Sequence, residues 1–229
     1  MFNFVRPFST LPGVAPATPP SETTDRNARR RAATRSRILA AARHLFAAQG
    51  VEQTTIRDIA AAADIALGGF YNYFPTKEEL LAELLSEVLG DQLALLVRRQ
   101  QAVDDVAERV AIAHRHLLAA AREDPDWGWL LVRLEVSHDI TNAVLGPQAM
   151  HDLREGMRAG RFATAGPAVT LQASGGALLG VFPGVLGGRF GPEDDCVHAE
   201  GVLRSFGVPL GEAAEIARRP LPPIPRESP

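Results

Sequence analysis

Apolar residues recur at helical spacing, in short runs interrupted by glycine and proline, and this pattern constrains the fold more than any other feature. The first run begins at Thr34 and ends before Gly50, a residue type that readily adopts the left-handed conformation found after a helix. Its apolar face consists of Ile38, Leu39, Ala42, Leu45 and Phe46. The spacing therefore predicts a helix over 34–49.

Capping signals mark two further helix starts. Thr55 with Asp58 is typical of a capping box, with an acid in place of the usual Glu or Gln. Thr76 with Glu79 repeats the pattern, and Pro75 ends the segment between them because proline disfavours helical geometry in the residue before it. Three short helices within about 40 residues, the second and third joined by a tight turn, are typical of a helix-turn-helix unit.

Four aromatic residues lie within positions 70–74, directly after a pair of glycines. Phe70 and Phe74 are four apart, so they share one helix face and are predicted to enter the core. Tyr71 and Tyr73 therefore point elsewhere. The second helix of a helix-turn-helix unit lies in the major groove of DNA, and the glycines would let its backbone approach the DNA closely.

Basic residues concentrate in the N-terminal part of the chain. Residues 1–77 hold ten Arg and Lys against five Asp and Glu, whereas 78–229 hold fourteen against twenty-two. This asymmetry favours a polyanionic partner for the N-terminal part. Residues 1–33 show no apolar periodicity and are predicted to form a flexible basic arm. Its arginine cluster at 29–31 is a candidate for the DNA minor groove, with a solvated tail as the alternative.

The run TRSRILAAARHLFAAQGVEQTTIRDIAAAADIALGGFYNYFPTKEELL, residues 34–81, strongly resembles the DNA-binding domain of the TetR family of bacterial transcriptional regulators. It contains the family's hydrophobic spacing and its Phe-x-x-x-Gly helix end at 46–50. It also contains the Thr-Ile-x-x-Ile-Ala helix at 55–60 and the Tyr-x-Tyr-Phe-x-x-Lys segment at 71–77. Together these motifs are more specific than a generic helix-turn-helix signal.

The resemblance implies roles for individual residues. Thr55 and Arg57 approach the DNA backbone, positions 67–69 read bases, and the two tyrosines with Lys77 contact phosphates. The expected DNA-contacting set is Arg35, Arg37, Thr55, Arg57, Leu67, Gly68, Gly69, Tyr71, Asn72, Tyr73 and Lys77.

Two positions depart from the family pattern. Asp64 replaces the usual turn glycine, and aspartate tolerates left-handed geometry better than most residues. Ala66 replaces the usual serine or threonine N-cap, which costs about 1 kcal/mol of helix stability. We therefore expect the third helix to be loosely held until DNA binds.

The remainder of the chain is predicted to be helical, so the fold class is all-α: a DNA-binding domain at 34–80, a larger effector-binding and dimerisation domain at 81–220, and a tail at 221–229. No strand alternation competes with this interpretation. The predicted helices of the larger part span about 76–100, 103–122, 126–138, 146–159, 167–190, 193–206 and 209–218.

An uncharged stretch from Phe162 to Gly188 is long enough to cross a membrane. The stretch is only moderately apolar and no second span accompanies it, so we expect a packing face instead of a membrane helix. Glycines repeat every four residues along it and would form a smooth helix face. The expected dimer interface comprises Gly176, Gly180, Gly184, Val202 and Phe206. The resemblance likewise implies a homodimer formed by the last two long helices, and hence a near-palindromic operator.

Candidates for an effector pocket are aromatic or polar residues on the middle helices. They are Trp127, Trp129, Arg133, His138 and Phe162. For each of them, core packing or an ordinary ion pair is the alternative role. The pocket would bind an unidentified small molecule.

Several classes of function are disfavoured. The single cysteine, Cys196, cannot form an intramolecular disulfide, and the N-terminus lacks a signal-peptide pattern, so we expect a cytoplasmic protein. No catalytic motif, cofactor-binding motif or metal-ligand spacing is present.

We therefore expect a ligand-responsive DNA-binding regulator, not an enzyme, and a repressor whose effector releases it from the operator. The alternatives left open are an activator, a ligand-binding protein with vestigial DNA binding, and an all-helical enzyme.

Overall fold

A computed structural model describes residues 22–133 and 145–224, and within these ranges it contains ten α-helices and no strand. The helices of the N-terminal unit and the long connecting helix are α1 Glu22–Gln49, α2 Ile56–Ala62, α3 Leu67–Phe70 and α4 Lys77–Gln100. Those of the larger domain are α5 Val106–Glu123, α6 Pro125–Arg133, α7 Gly146–Arg158, α8 Pro167–Leu186, α9 Pro192–Ser205 and α10 Leu210–Arg218. The all-α prediction is confirmed.

The first helix begins at Glu22, so the prediction of a flexible arm up to residue 33 is wrong for 22–33. Seven of the twelve residues at 22–33 are Arg or Ala, which favour the helix, and the segment continues a helix that is already anchored in the core. Its residues from Arg26 to Ala33 are exposed, so it needs no apolar periodicity. Arg31 ties it to the helix-turn-helix unit by donating to the carbonyl of Asn72 at 3.0 Å.

The other helix bounds lie close to those expected, with one clear difference in α8. This helix ends at Leu186 instead of continuing to 190, because Gly188 adopts a left-handed conformation with φ of 70°. The predicted helix at 126–138 is described only as far as Arg133, and the rest of it lies outside the described residues.

Local signals in the N-terminal unit operate as predicted. Thr55 Oγ1 accepts from Asp58 N at 3.2 Å, while Thr55 N donates to the Asp58 carboxylate at 3.0 Å. The Thr55 hydroxyl also donates to the Asp58 carboxylate at 2.7 Å, and this bond, together with the one from Thr55 N, lowers the pKa of Asp58. Asp64 has φ of 53°, as its turn position requires. Ala66 provides no side-chain cap to α3.

One hydrophobic core joins the N-terminal unit to the larger domain. Ile38, Phe46 and Phe70 are fully buried in this core, which continues through α4 to Trp127 and Phe182. The rings of these last two residues lie 5.7 Å apart. A second core lies at the N-terminal end of α5, where α7, α9 and α10 pack against that helix. The small unit is therefore packed onto the larger domain and not merely tethered to it.

The structure corrects part of the expected dimer interface. Val202 and Phe206 are buried in the second core of the chain itself, with Phe206 packed edge-to-face on Phe162 at 5.2 Å. Gly184 is buried beneath Phe190, whose ring would lie 2.2 Å from a Cβ at that position. Of the five expected residues only Gly176, which is half-buried, and Gly180, which is exposed, are accessible. The four-residue glycine repeat is therefore divided between an inner and an outer face.

Among the described residues, α8 is the one helix whose length and apolar composition would allow it to cross a membrane. It packs against α5, α6 and α7 within the larger domain. Such a helix is also typical of the core of a helical bundle, so its composition alone does not indicate a membrane span.

Candidate DNA-binding face and interior cavities

The short helix α3 presents an outer face almost without side chains. Leu67 is 41% exposed, and no heavy atom lies within 4 Å of a Cβ built on either Gly68 or Gly69. Neither glycine has a positive φ, so neither is required by the local backbone. Glycine inside a helix costs about 0.5–1 kcal/mol relative to alanine. The pair therefore leaves the backbone of α3 open to a partner outside the chain.

The four aromatic residues divide as the spacing predicts. Phe70 and Phe74 are buried with ring centroids 6.0 Å apart, whereas Tyr71 is 52% exposed. Tyr73 is half-buried because Arg31 lies over its ring, 5.4 Å from the centroid. The Tyr71 hydroxyl thus lies on the surface beside α3, while Tyr73 helps to hold the N-terminal end of α1.

Two expected DNA-contacting residues make contacts within the protein. Lys77 Nζ donates to the carbonyl oxygens of Val51 at 2.9 Å and Thr54 at 3.2 Å. Arg35 forms an ion pair with Glu83, and its guanidinium lies 4.7 Å from the centroid of the Phe74 ring. Lys77 therefore fastens the loop after α1 to the start of α4, and Arg35 is turned toward α4.

The remaining expected DNA contacts are exposed. Arg37, Arg57 and Asn72 lie on the surface, and Thr55 combines an exposed position with its capping role. Together with Tyr71 and the bare face of α3 they surround the helix-turn-helix unit with polar, partly cationic groups. Phosphate contacts of this kind position a protein on DNA, and an open helix face permits base readout.

A cavity of about 90 Å³ lies between α4, α5, α7 and α8. Its apolar lining includes Leu93, Leu96, Leu117, Leu145, Leu171 and Leu178. Its polar lining consists of Gln100, His114, Gln148, Asp152 and Ser174. This combination of an apolar wall with a few polar groups is typical of a small-molecule site.

Two histidines and a serine form a buried hydrogen-bonded chain at this cavity. His114 Nδ1 lies 2.9 Å from His198 Nε2, and His114 Nε2 lies 3.2 Å from Ser174 Oγ. Burial lowers the pKa of His114 to about 3 and that of His198 to about 4, with the neighbouring imidazole adding to the effect on His114. Both rings are therefore neutral near pH 7, and the chain connects the cavity wall to α9.

A second polar group of the cavity is centred on Asp152. Its Oδ1 accepts from Arg109 Nη2 at 3.2 Å and from Gln148 Nε2 at 3.2 Å. Gln100 Nε2 donates to the Arg109 carbonyl at 2.7 Å, which fixes the amide at the cavity wall. Burial raises the pKa of Asp152, and Arg109 opposes that rise. The charge of the carboxylate is thus balanced by Arg109, while its Oδ2 can accept a hydrogen bond from a ligand.

The residues expected to bind an effector lie elsewhere. Trp127 and Phe162 are buried in the first and second cores, and Phe162 lies against Gly156. Arg133 donates to the Ala48 carbonyl and lies 5.0 Å from the Trp129 ring centroid. None of these four residues lines the cavity between α4, α5, α7 and α8, which is called the leucine-lined cavity below. The fifth, His138, lies outside the described residues.

Sequence reasoning missed the cavity residues because it favoured large aromatic side chains. His114 and Ser174 could have indicated the cavity from the sequence, because they are polar residues on otherwise small and apolar helix faces. Within the described part of the chain, no group of three or more His, Cys, Asp or Glu side chains could hold a metal ion.

Two family profiles match the chain. The profile described as a tetracyclin repressor-like C-terminal domain covers residues 105–219, half of the chain. The profile described as bacterial regulatory proteins of the tetR family covers residues 38–84. The two matches coincide with the larger domain and the helix-turn-helix unit.

Curated relatives are transcriptional regulators. The HTH-type transcriptional repressor KstR2 of Mycolicibacterium smegmatis is 33% identical over 105 residues, which is 41% of this chain and 50% of the relative. KstR2 of Rhodococcus jostii is 40% identical over 73 residues, covering 32% of this chain and 34% of that protein. The chain thus spans at most about half the length of these relatives.

Among solved structures, RolR in complex with resorcinol has a TM-score of 0.70 and 34% sequence identity. The alignment covers 86% of this chain and all of that one. RolR without ligand gives a TM-score of 0.68 at 34% identity, covering 83% of this chain. Similarity to RolR therefore includes both domains.

Proposed function

Because the chain belongs to the TetR family of transcriptional regulators, we propose that it is a repressor that binds a near-palindromic operator as a homodimer and releases it when a small molecule binds. The observation that carries the DNA-binding part is the bare outer face of α3. Neither glycine of that helix is used by the fold, and the exposed Tyr71 stands beside them. In this arrangement the backbone of α3 faces the major groove and the surrounding polar residues contact phosphates.

The effector class follows from the cavity between α4, α5, α7 and α8. Its volume of about 90 Å³ is smaller than the engineered cavity of about 150 Å³ that accepts benzene, so a ligand no larger than a single small ring is expected. Among the described residues no arginine or lysine lines it, and the one carboxylate they supply, that of Asp152, already pairs with Arg109, so an anionic ligand is disfavoured. RolR, a structural relative, binds resorcinol. We infer a neutral hydroxylated aromatic effector.

Coupling between the two sites would run along α4. This helix begins at Lys77, which holds the loop beside the helix-turn-helix unit, and its far end supplies Leu93, Leu96 and Gln100 to the cavity. A ligand that separates α4 from α8 would therefore move the start of α4 and change the position of α3. Such a coupling is reciprocal, so operator DNA weakens effector binding by the same factor.

Dimerisation would involve the accessible sides of α8 and α9. Val169 is 74% exposed and Val197 is 58% exposed, which is unusual for apolar side chains of a packed domain. Gly176 and Gly180 lie on the accessible part of α8 and would let a partner helix approach closely. Two α3 helices would then enter successive major grooves about 34 Å apart. The protein would act in the bacterial cytoplasm, where its DNA target lies.

The DNA-binding proposal is tested by selecting bound sequences from a random duplex pool with the purified protein. We expect a near-palindromic winner, bound far more tightly than random DNA. The double variant Arg57→Ala/Tyr71→Ala should lose most of that affinity, whereas the control Arg154→Ala, an exposed arginine of α7, should bind as wild type. Failure to enrich any sequence would favour a ligand-binding protein with vestigial DNA contact.

The effector proposal is tested by titrating resorcinol into the operator complex and measuring release. Benzoate serves as the anionic control and should release the operator far less effectively. Asp152→Asn should weaken the response to resorcinol by about tenfold, because a neutral amide replaces the charged acceptor of the ligand hydroxyl. If benzoate and resorcinol act equally, the inferred ligand chemistry is wrong.

A further inference from the structure

Three polar side chains of the larger domain form a hydrogen-bonded chain whose ends lie on different helices. Ser174 on α8 and His114 on α5 line the leucine-lined cavity, and their hydrogen bond joins Ser174 Oγ to His114 Nε2 at 3.2 Å. His114 Nδ1 lies 2.9 Å from Nε2 of His198 on α9, a helix that supplies none of the described lining residues. Ser174 is only 5% exposed and His114 only 8%, so bulk water does not compete for their hydrogen bonds.

Each ring of this chain carries a single N–H proton. Burial lowers the pKa of His114 to about 3 and that of His198 to about 4, so both imidazoles are neutral near pH 7. A neutral imidazole donates from one nitrogen and accepts at the other. Because both nitrogens of His114 are engaged, its tautomer fixes the direction of both hydrogen bonds.

Only two arrangements of protons satisfy the chain. In the first, the Ser174 hydroxyl donates to His114 Nε2, and His114 Nδ1–H donates to His198 Nε2. In the second, His198 Nε2–H donates to His114 Nδ1, and His114 Nε2–H donates to Ser174 Oγ. Both rings are thus Nδ1–H tautomers in the first arrangement and Nε2–H tautomers in the second.

The arrangement decides what Ser174 offers to a molecule in the cavity. In the first arrangement the serine proton is used by His114, so Ser174 Oγ can only accept a hydrogen bond from a ligand. In the second, Oγ accepts from His114 and its own proton is free to donate to a ligand. A ligand that donates to Ser174 therefore favours the first arrangement, and a ligand that accepts from Ser174 favours the second.

We propose that Ser174 reads the hydrogen-bonding direction of the ligand and that His114, a positioning residue, passes that direction to His198. The inference rests on the proposed effector cavity. A ligand hydroxyl that donates to Ser174 holds both rings as Nδ1–H tautomers, whereas an ether or carbonyl oxygen holds them as Nε2–H tautomers. His198 is adjacent to Val197, which is 58% exposed on α9. The chemistry of the ligand is thus registered on the helix proposed to face the second subunit.

The test observes the imidazole nitrogens in ¹⁵N–¹H spectra of the full-length protein without DNA. The variants His114→Gln and His198→Gln assign the two rings, and the exposed His44 and His151 are internal controls. Resorcinol is the donor probe. The acceptor probe is 3-methoxyphenol, which keeps one hydroxyl and has an ether oxygen in place of the other. Calorimetry measures the binding of each probe.

We expect the ratio of Nδ1–H to Nε2–H tautomers in both rings to be about threefold or more higher with resorcinol than with 3-methoxyphenol. Each probe gains one hydrogen bond in only one of the two arrangements. In Ser174→Ala the two probes should give the same ratio. Bound probes that give equal ratios in the wild type, or that change His114 without His198, would overturn the proposal.

A ligand-free measurement separates this proposal from the choice of effector. If neither probe binds, the inferred effector is wrong, and Ser174→Ala without ligand then tests the chain. Both of its rings should be at least as fully Nδ1–H as in the wild type, because a buried N–H without a partner is rarer than a buried acceptor without one. Protons on different nitrogens of the two rings, or a change in His114 that His198 does not share, would refute the relay.

Discussion

Glycine serves opposite purposes in the two parts of this molecule. In α3, Cβ atoms on Gly68 and Gly69 would meet nothing within 4 Å, so the space beside them is left to an external partner. In the larger domain, Cβ atoms on Gly156 and Gly184 would lie 2.1 and 2.2 Å from phenylalanine rings. The same residue type therefore indicates function in one region and close packing in the other, and only the neighbouring atoms distinguish the two.

Histidine shows the same contrast. His44 on α1 is largely exposed and contacts Asp126 at 3.1 Å. In the larger domain His114 and His116 on α5 are buried, and His198 on α9 is mostly so. Burial lowers the pKa of His116 to about 4, with Arg99 contributing, in addition to the shifts of the other two. The histidine of the small unit thus lies outward, whereas the larger domain keeps three neutral imidazoles inside and has a further histidine, His151, at its surface.

The largest predicted effect concerns acid stability. A histidine whose pKa is near 4 when folded and 6.5 when unfolded binds protons preferentially in the unfolded state between those values. Its stabilisation is complete above pH 6.5 and is lost as the pH falls toward 4. We expect a loss of about 2 kcal/mol per buried histidine between pH 7.5 and 5, measured by urea unfolding.

A variant pair isolates this effect. His198→Gln should be less stable at pH 7.5 but should lose less stability on acidification, since one titrating group is removed. The surface variant His44→Gln should retain the wild-type dependence. If His198→Gln lost as much unfolding free energy between pH 7.5 and 5 as the wild type, the buried His198 would not be a source of the acid sensitivity.

The next effect tests the packed glycines. Gly156→Ala should destabilise the protein by about 1–3 kcal/mol, because the new Cβ would overlap two carbons of the Phe162 ring within the second core. Gly90→Ala is the control, as it lies inside α4 with no atom within 4 Å, and it should be neutral or stabilising by up to about 1 kcal/mol. The two free energies of unfolding are compared in urea. Equal free energies of unfolding for the two variants would show that the Phe162 ring can move to accommodate the added methyl group at little cost.

The open glycines should respond in the opposite way. Gly68→Ala and Gly69→Ala should leave folding unchanged or stabilise it by up to about 1 kcal/mol, because alanine favours the helix. Operator affinity should nevertheless fall by about tenfold or more, equivalent to at least about 1.4 kcal/mol, since two methyl groups would separate α3 from the base edges. Stability and binding are measured on the same preparations. Undiminished operator binding would mean that the face of α3 does not approach the DNA closely.

The smallest effect concerns the missing cap of α3. Ala66→Ser should stabilise the protein by about 0.5–1 kcal/mol by supplying a hydroxyl to the first turn. If α3 is loosely held before binding, the same change should tighten operator binding slightly, because less ordering is needed. Hydrogen exchange at the amides of α3 measures the ordering directly. Equal exchange in variant and wild type would place a firmly held α3 in the free protein.

Much of the N-terminal unit could be predicted from the chain because its signals are local. The capping box at Thr55, the left-handed Asp64 and the division between Phe70 and Tyr71 each depend on neighbours within a few residues. The helical extension before Thr34 was missed because it is exposed and therefore has no apolar periodicity. The aromatic residues Trp127 and Phe162, which the sequence suggested for an effector pocket, lie in the two cores, whereas the cavity between α4, α5, α7 and α8 is lined mainly by leucines.

The sequence alone determined the all-α class, most helix bounds and the family resemblance, because helix propensity, caps and turn residues act over three or four positions. Tertiary structure decided which helix faces meet. His114 and His198 are 84 positions apart yet share a hydrogen bond, and Arg43 and Trp127 belong to different helices yet line one cavity. Burial by distant segments lowers the pKa values of the histidines and divides the α8 glycines between two faces. No local pattern contains that information, because it depends on which faces the packing brings together.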